Sequence, residues 1–253
     1  MKAMIFAAGR GERMRPLTDH CPKPLLEAGG KPLIVWQIEA LARAGIVDIV
    51  INHAWLGDRI EAALGDGSRY GVRLRYSPET TALETAGGIA QALPLLTGRP
   101  ANTDGEIFLA VSGDIHTDYD YRRLLPRAAA MAGSAEPRMH LVMVPNPPFH
   151  PAGDFALDES GLLSLDGPDK GTRLTFGNIG LYDTRLFEGI SPGEKLAMTP
   201  YYRRSIAAGH ASGERHDGHW ENVGTPAQLA ALDHHLRTGR KPAAAADNEI
   251  IAP

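Results

Sequence analysis

Apolar positions along this chain fall into two patterns, short unbroken runs and longer stretches at helical spacing. Residues 3–8 (AMIFAA) are such a run, which fits a strand buried on both faces. The run stops at Gly9. Residues 33–44 then place Leu33, Ile34, Ile38, Leu41 and Ala42 near helical spacing, with Pro32 suited to a first turn and Gly45 to the end. A strand follows at 46–51, a helix at 55–64 closed by Gly65, and a strand at 72–76. The same alternation continues with a helix in the second half of 79–94, strands at 106–112 and 139–144, and a helix at 121–131 between them. Strands separated by helices predict parallel neighbours joined by right-handed crossovers. Ligands of such sheets bind at the carboxyl ends of the strands.

From Pro145 the texture changes to Asn146, Pro147, Pro148 and Pro151, a loop. Phe155 to Leu157 and residues 162–165 read as short strands around a turn at 158–161, before a second turn-rich stretch at 166–171. A strand at 174–182 carries Gly177 and Gly180 around Asn178, the mark of a bulge or a close backbone approach. Thr199 and Pro200 start a helix to Ala208, with Arg203 and Arg204 expected in solvent. Thr225 and Pro226 start another that runs over 227–236. The expected fold is α/β: a Rossmann-like three-layer sandwich with a mostly parallel central sheet and a small inserted β element over the site. Residues 1–238 are expected to form a single domain, and the Ala-rich residues 239–253 a flexible, dispensable tail.

Composition narrows the function. The 253 residues are 43% apolar, enough for a sizeable core, and the net charge of −4 offers no basic field to a nucleic-acid backbone. Cys21 is the sole cysteine, so an internal disulfide or a cysteine-rich metal site is excluded. No apolar segment is long enough to span a membrane and no signal peptide is visible, so the expected location is the cytoplasm, without a membrane partner.

The local charge near the N-terminus is more informative. Gly9 and Gly11 bracket Arg10 where the first strand emerges, and Arg13 and Arg15 follow. Glycines there permit positive φ and close approach; backbone N–H groups make a nest for anions, and guanidinium groups add forked donors for phosphate. G-x-G-x-R alone also fits an ordinary tight turn, and it is neither the G-x-G-x-x-G fingerprint, because position 14 is Met, nor a P-loop. The continuation adds Lys23 between Pro22 and Pro24, a lysine whose stem starts from a restricted backbone.

AAGRGERMRPLT followed by CPKPLL resembles the signature of the sugar-1-phosphate nucleotidylyltransferases, with matching segments to roughly Thr238. The resemblance implies that Ala8, Gly9, Gly11 and Arg13 hold the triphosphate of a nucleoside triphosphate and that Arg13 and Lys23 act in catalysis. The partners it implies are that triphosphate and a sugar 1-phosphate, for a monomer or small homo-oligomer. Residues 79–94 (ETTALETAGGIAQALP) place small residues at a helix start, which fits either close packing or a base lying against free amides. By resemblance Ala86, Gly87 and Gly88 bind nucleotide and Glu84 and Thr85 bind sugar, and the variant E-T-x-G-G-I is most similar to members handling N-acetylmuramate 1-phosphate and UTP.

Asp114 leaves the end of a central strand in S-G-D, either capping a turn or binding a hard cation beside phosphates; the resemblance implies a Mg²⁺ ligand. Asn178 offers the donor and acceptor that a sugar hydroxyl or acetamide needs, and by resemblance lies in the sugar-binding strand. Glu194 and Lys195 also rank as sugar-facing, below it. Before V-G-T-P the family usually has an aspartate as second metal carboxylate, whereas this chain has Asn222, which can ligate through its amide oxygen but adds no charge. Glu221 points the other way if the segment is extended. His216, His219, His234 and His235 lack compact zinc spacing and are expected on a polar surface.

The implied reaction joins a sugar 1-phosphate to the α-phosphorus of a nucleoside triphosphate, without a general base. Glucose, mannose or heptose 1-phosphate with UTP, GTP or dTTP satisfies the same phosphate chemistry. A non-catalytic nucleotide-binding module would keep the loop but release no pyrophosphate, and Lys23 with Asp114 argues against it. A dehydrogenase lacks its third glycine.

Overall fold

A computed structural model describes residues 1–97, 105–166 and 171–239. The strands are β1 Ala3–Phe6, β2 Glu27–Ala28, β3 Lys31–Pro32, β4 Asp48–His53, β5 Arg73–Pro78, β6 Ile107–Ser112, β7 Ile115–Thr117, β8 Met139–Val144, β9 Phe155–Leu157, β10 Leu163–Ser164, β11 Thr172–Asp183, β12 Ala211–Arg215 and β13 Trp220–Asn222. The helices are α1 Leu33–Arg43, α2 Gly57–Leu64, α3 Glu84–Thr97, α4 Leu124–Ala132, α5 Thr199–Ala207 and α6 Pro226–Thr238. Apart from Gly239, the tail expected over 239–253 lies outside the described residues, as do residues 167–170 of the second turn-rich stretch.

Nine strands share one sheet among the described residues, in the spatial order β5-β4-β1-β6-β11-β8-β12, with β9 and β10 added along the start of β11. β1 is parallel to β4 and β6, β4 to β5, and β8 to β12, whereas β11 runs antiparallel between β6 and β8. The sheet of the α/β sandwich is therefore mixed: its seven-strand body is parallel apart from β11, reversed near the middle, and β9 and β10 add antiparallel pairings. Because side chains alternate across a sheet, the apolar runs feed both faces. Ala3, Ile5, Ile49, Ile51, Leu109 and Val111 pack under α1, α2 and α4. Met4, Val50, Phe108 and Ala110 pack under α3 and α5. Burying each such large side chain stabilises the fold by about 1.5–3 kcal/mol.

A third, smaller cluster joins Met14, Leu26, Ala28, Leu33, Val223 and Leu232. Met14 is wholly buried there. The residue that breaks the dinucleotide fingerprint thus pins the loop after β1 against α1, α6 and the V-G-T-P segment.

Five strands were not legible in the apolar pattern, the two-residue β2 and β3 among them. β12 buries only Ala211 and Gly213, too small to mark a core face, and β7 and β13 are three-residue strands that pair with each other, too short for an alternation to show. β1 is shorter than the apolar run because the Ala7 N–H donates to Asn52 Oδ1 at 3.1 Å instead of continuing a ladder. The turn at 158–161 joins β9 and β10 as an antiparallel pair, as expected. No helix among the described residues is long and apolar enough to cross a membrane.

Met14→Ala removes the side chain at the centre of the third cluster. The expected cost is about 2–5 kcal/mol of unfolding free energy, the range for a fully buried methionine cut to alanine. Urea unfolding monitored by circular dichroism measures it, and an unchanged midpoint would show that the loop is held by other means.

Candidate active site

The loop after β1 leaves an anion-sized gap in the hydrogen bonding. Among the described residues the N–H groups of residues 8–11 have no protein acceptor, whereas Ala7, Met14 and Arg15 donate to Asn52, Gly11 and Glu12. Unpaired backbone donors in a concave turn form a nest for phosphate oxygens. Of the two loop glycines only Gly11 has positive φ, +69°; a Cβ there would lie 2.9 Å from Thr18 Cγ2 and 3.3 Å from Lys23 Cβ. At Gly9 the expectation of positive φ is not met, but a Cβ would enter open space, so the backbone is bare toward the cleft.

The arginines divide. Arg10 donates to Thr18 O and Asp19 and lies over Trp55, 3.9 Å from the ring centroid, and Arg15 pairs with Asp19 at 2.8 Å. Both hold the loop together. Arg13 is exposed, has no ion-pair or hydrogen-bond partner among the described residues, and lies against Gly224, where a Cβ would sit 3.1 Å from Nη2. Its charge is available.

Lys23 Nζ lies 2.5 Å from Asp114 Oδ2, with the two side chains 12% and 28% exposed. Val223 N–H donates to Asp114 O at 3.0 Å, so the end of β13 is stitched to the aspartate's own backbone. Asn222 therefore neighbours Asp114. Asp114 Oδ1 and the Asn222 amide make no hydrogen bond to the protein among the described residues. Each offers an oxygen of the kind a hard cation uses, though only one is a carboxylate.

Clefts open on either side of this junction. One, of about 370 Å³, is lined by Ala8, Gly9, Asn52, Thr85, Asp114 and Lys195, with Glu84 at its edge. Lys195 Nζ reaches Glu84 Oε1 at 3.8 Å. Glu84 and Thr85 thus face the same cleft as the phosphate loop. Of the free amides expected at the start of α3, those of Ala86 and Gly87 both donate to Leu196 O, at 3.0 and 3.1 Å, while those of Glu84 and Thr85 have no acceptor among the described residues. Ala86, Gly87 and Gly88 are buried. A Cβ on Gly87 would fall 2.1 Å from Glu194 O, and one on Gly88 would fall 2.7 Å from Glu79 Oε1. These three residues make room for neighbouring chain, so any contact with a nucleotide would come from their backbone.

The second cleft, of about 630 Å³, lies between β9–β11, α5 and β13. Asn178, Asn222, Trp220 and Thr175 line it, with Phe155, Phe176 and Tyr202 supplying apolar surface. Asn178 adopts φ +57° within the irregular pairing between Phe176 and Gly180, and Trp220 Nε1 donates to Gly177 O at 2.8 Å, locking the bulge to β13. Glu221 lines neither cleft and faces His219, as alternation along β13 predicts. Arg203 and Arg204 are both exposed, as expected, but Arg203 also lines the second cleft whereas Arg204 lies over Tyr201. The surface expected of the histidines holds for His234, which is exposed, but not for His216, buried beside Tyr119, nor for the half-buried His219 and His235, which stack with centroids 4.8 Å apart.

Sequence reasoning missed Asn52. Its side chain accepts from Ala7 N–H and donates to Glu79 Oε1 at 2.6 Å, while Glu79 Oε2 accepts from Leu83 N–H at 2.8 Å. The signal was an amide ending the buried run of β4. Burial pushes the Glu79 carboxyl above its ordinary value of 4.5, against the lowering by its hydrogen bonds. A carboxyl raised in the folded state adds stability below its unfolded value, lost as pH rises through the folded one. The stability of the wild type relative to Glu79→Gln should therefore grow as pH falls from neutrality toward 4.5. Paired urea titrations across that window check the sign, and a difference independent of pH would contradict it.

Comparison with known proteins agrees with this geometry. Residues 2–161 match the family model described as nucleotidyl transferase. An N-acetylmuramate alpha-1-phosphate uridylyltransferase from Neisseria meningitidis is 50% identical over 90% of this chain and 95% of its own length. One from Caulobacter vibrioides is 32% identical over 90% and 94% respectively. A Bacillus anthracis structure described as a glucose-1-phosphate thymidylyltransferase, solved with sucrose, superposes with a TM-score of 0.76 at 20% identity, over 94% of this chain and 96% of that one, and shares the fold. The chain belongs to the nucleotidyl transferase family, as one of its sugar-1-phosphate nucleotidylyltransferases.

Proposed function

We propose that the protein joins UTP and N-acetylmuramate 1-phosphate to give UDP-N-acetylmuramate and pyrophosphate, acting in the cytoplasm. The observation that carries this reading is the Lys23–Asp114 contact between the phosphate nest and the junction of two clefts, in a chain half identical to a uridylyltransferase of that substrate. A phosphate oxygen of the sugar attacks the α-phosphorus, a new P–O bond forms, and the bond to the β-phosphate breaks as pyrophosphate leaves. The attacking group is already anionic, so the obstacle is repulsion between anions. Alignment and charge stabilisation supply the catalysis.

Ala8, Gly9 and Gly11 would hold the triphosphate by their N–H groups, with Arg13 drawing on the leaving pyrophosphate and Lys23 neutralising the phosphoryl group in transfer. Asn178 would bind the sugar in the larger cleft. Glu84 and Thr85, first read as sugar contacts, fit the nucleotide end better because they share its cleft with Ala8 and Gly9. Family membership implies dependence on a divalent metal. We assign Mg²⁺, held by Asp114 and Asn222, where it would neutralise phosphate charge.

A matrix of sugar 1-phosphates against nucleoside triphosphates, read by pyrophosphate release, tests the assignment. Preference for glucose, mannose or heptose 1-phosphate would replace the sugar, and binding without release would leave a nucleotide-binding module. Lys23→Ala is expected to lower kcat by about 10²-fold or more, the scale of losing one contact to developing charge. Unchanged turnover at saturating substrates would remove Lys23 from the chemistry. Asn222→Asp restores a second carboxylate, so the Mg²⁺ concentration giving half-maximal rate should fall; a titration showing no shift would place Asn222 outside the metal shell.

A further inference from the structure

The larger cleft holds two arginines, and they are not equivalent. Arg173 is committed to the protein, donating from Nε to Ala152 O at 2.9 Å and from Nη2 to Asp154 O at 3.0 Å, so it fastens the loop ahead of β9. The acidic side chain in the lining, Asp154, is also spoken for: His150 Nε2 lies 3.1 Å from Oδ1, and Phe176 N–H donates to Oδ2 at 2.8 Å. Arg203 differs from both. It is exposed on α5, lines the cleft, and has no hydrogen bond, ion pair or ring contact among the described residues. Its neighbour Arg204, one residue along the helix, turns to Tyr201 instead.

An uncommitted guanidinium in a cleft whose other charged side chains, Arg173 and Asp154, already bond within the protein is a receptor for a planar anion. Its forked donors match a carboxylate bidentately. The phosphates of both substrates are accounted for at the other end, by the nest, Arg13 and Lys23. What remains on the sugar is chemistry specific to the substrate: N-acetylmuramate carries a carboxylate on the lactyl ether of its ring, which N-acetylglucosamine lacks. We infer that Arg203 reads that carboxylate and is the residue by which this cleft selects the acidic sugar over neutral ones. The inference rests on the proposed substrate and adds the group that recognises it. Arg203 is remote from the transferring phosphorus in this scheme, a specificity residue rather than a catalytic one.

The test compares N-acetylmuramate 1-phosphate with its lactyl carboxamide, the same shape without the charge, in the wild type, Arg203→Ala and Arg204→Ala, each checked for folding by thermal melting. Wild type and Arg204→Ala are expected to favour the acid over the amide by about 30-fold in kcat/KM, the scale of one charge-assisted pair. In Arg203→Ala that ratio should fall to about 1–3, through KM for the sugar, with KM for UTP unchanged. Arg203→Lys, which keeps the charge but loses the fork, should recover part of the ratio. Three results would overturn the inference: an acid-to-amide ratio in folded Arg203→Ala equal to wild type, an equal loss on both substrates, or no acid preference in the wild type. Failure of the wild type to turn over N-acetylmuramate 1-phosphate, with turnover of another sugar 1-phosphate, marks the separate failure of the substrate assignment and takes the inference with it.

Discussion

The contact between Lys23 and Asp114 is the constraint around which the rest is arranged. Two partly buried opposite charges cost desolvation, and their attraction offsets that cost only in good geometry. Here that geometry is imposed from three directions. Gly11 lets the phosphate loop pass against Lys23 Cβ, β6 delivers Asp114 at its carboxyl end, and Val223 N–H ties β13 to the aspartate's carbonyl. Met14, Val223 and Leu232 pack beneath, so the polar junction stands on an apolar base rather than on its own charge. This makes the ion pair a positioning device, and it explains why residues far apart in sequence meet where two clefts join.

Close approach is the second theme. Gly87 and Gly88 bring α3 within contact of Glu194 O and of Glu79, and none of these four residues lines the smaller cleft. Asn52 acts from the same layer, aiming the start of the loop through Ala7 N–H while Glu79 holds its amide. Glycine in such places looks the same in a sequence whether a ligand or a neighbouring chain segment fills the space. The difference lies in which surface arrives.

The two clefts also divide the work by charge. Bare backbone donors, Arg13 and Lys23 belong to the phosphate loop and its junction, while the larger cleft combines aromatic rings and amides with the internally bonded Arg173 and Asp154 and one uncommitted guanidinium. The antiparallel strand β11 makes this possible. Reversing one strand places its bulge, with Asn178 in the left-handed region, at the same sheet edge as the ends of β1 and β6.

The sequence by itself determined the alternating elements of the sandwich, because β1, β4, β6 and β8 are buried on both faces and so read as unbroken apolar runs. It also determined the phosphate loop, Lys23 and Asp114 as candidates, since glycine spacing, a proline-flanked lysine and a strand-end carboxylate are local features. Tertiary structure alone decided which polar groups stay uncommitted. Arg10, Arg13 and Arg15 are alike in sequence, yet only Arg13 lacks a partner among the described residues; Arg203 and Arg204 are adjacent, yet only Arg203 enters a cleft. The short strands β7, β12 and β13 were likewise settled by their partners. The physical reason is common to all of these: a hydrogen bond or ion pair is a property of two groups, and the second group comes from a distant part of the chain.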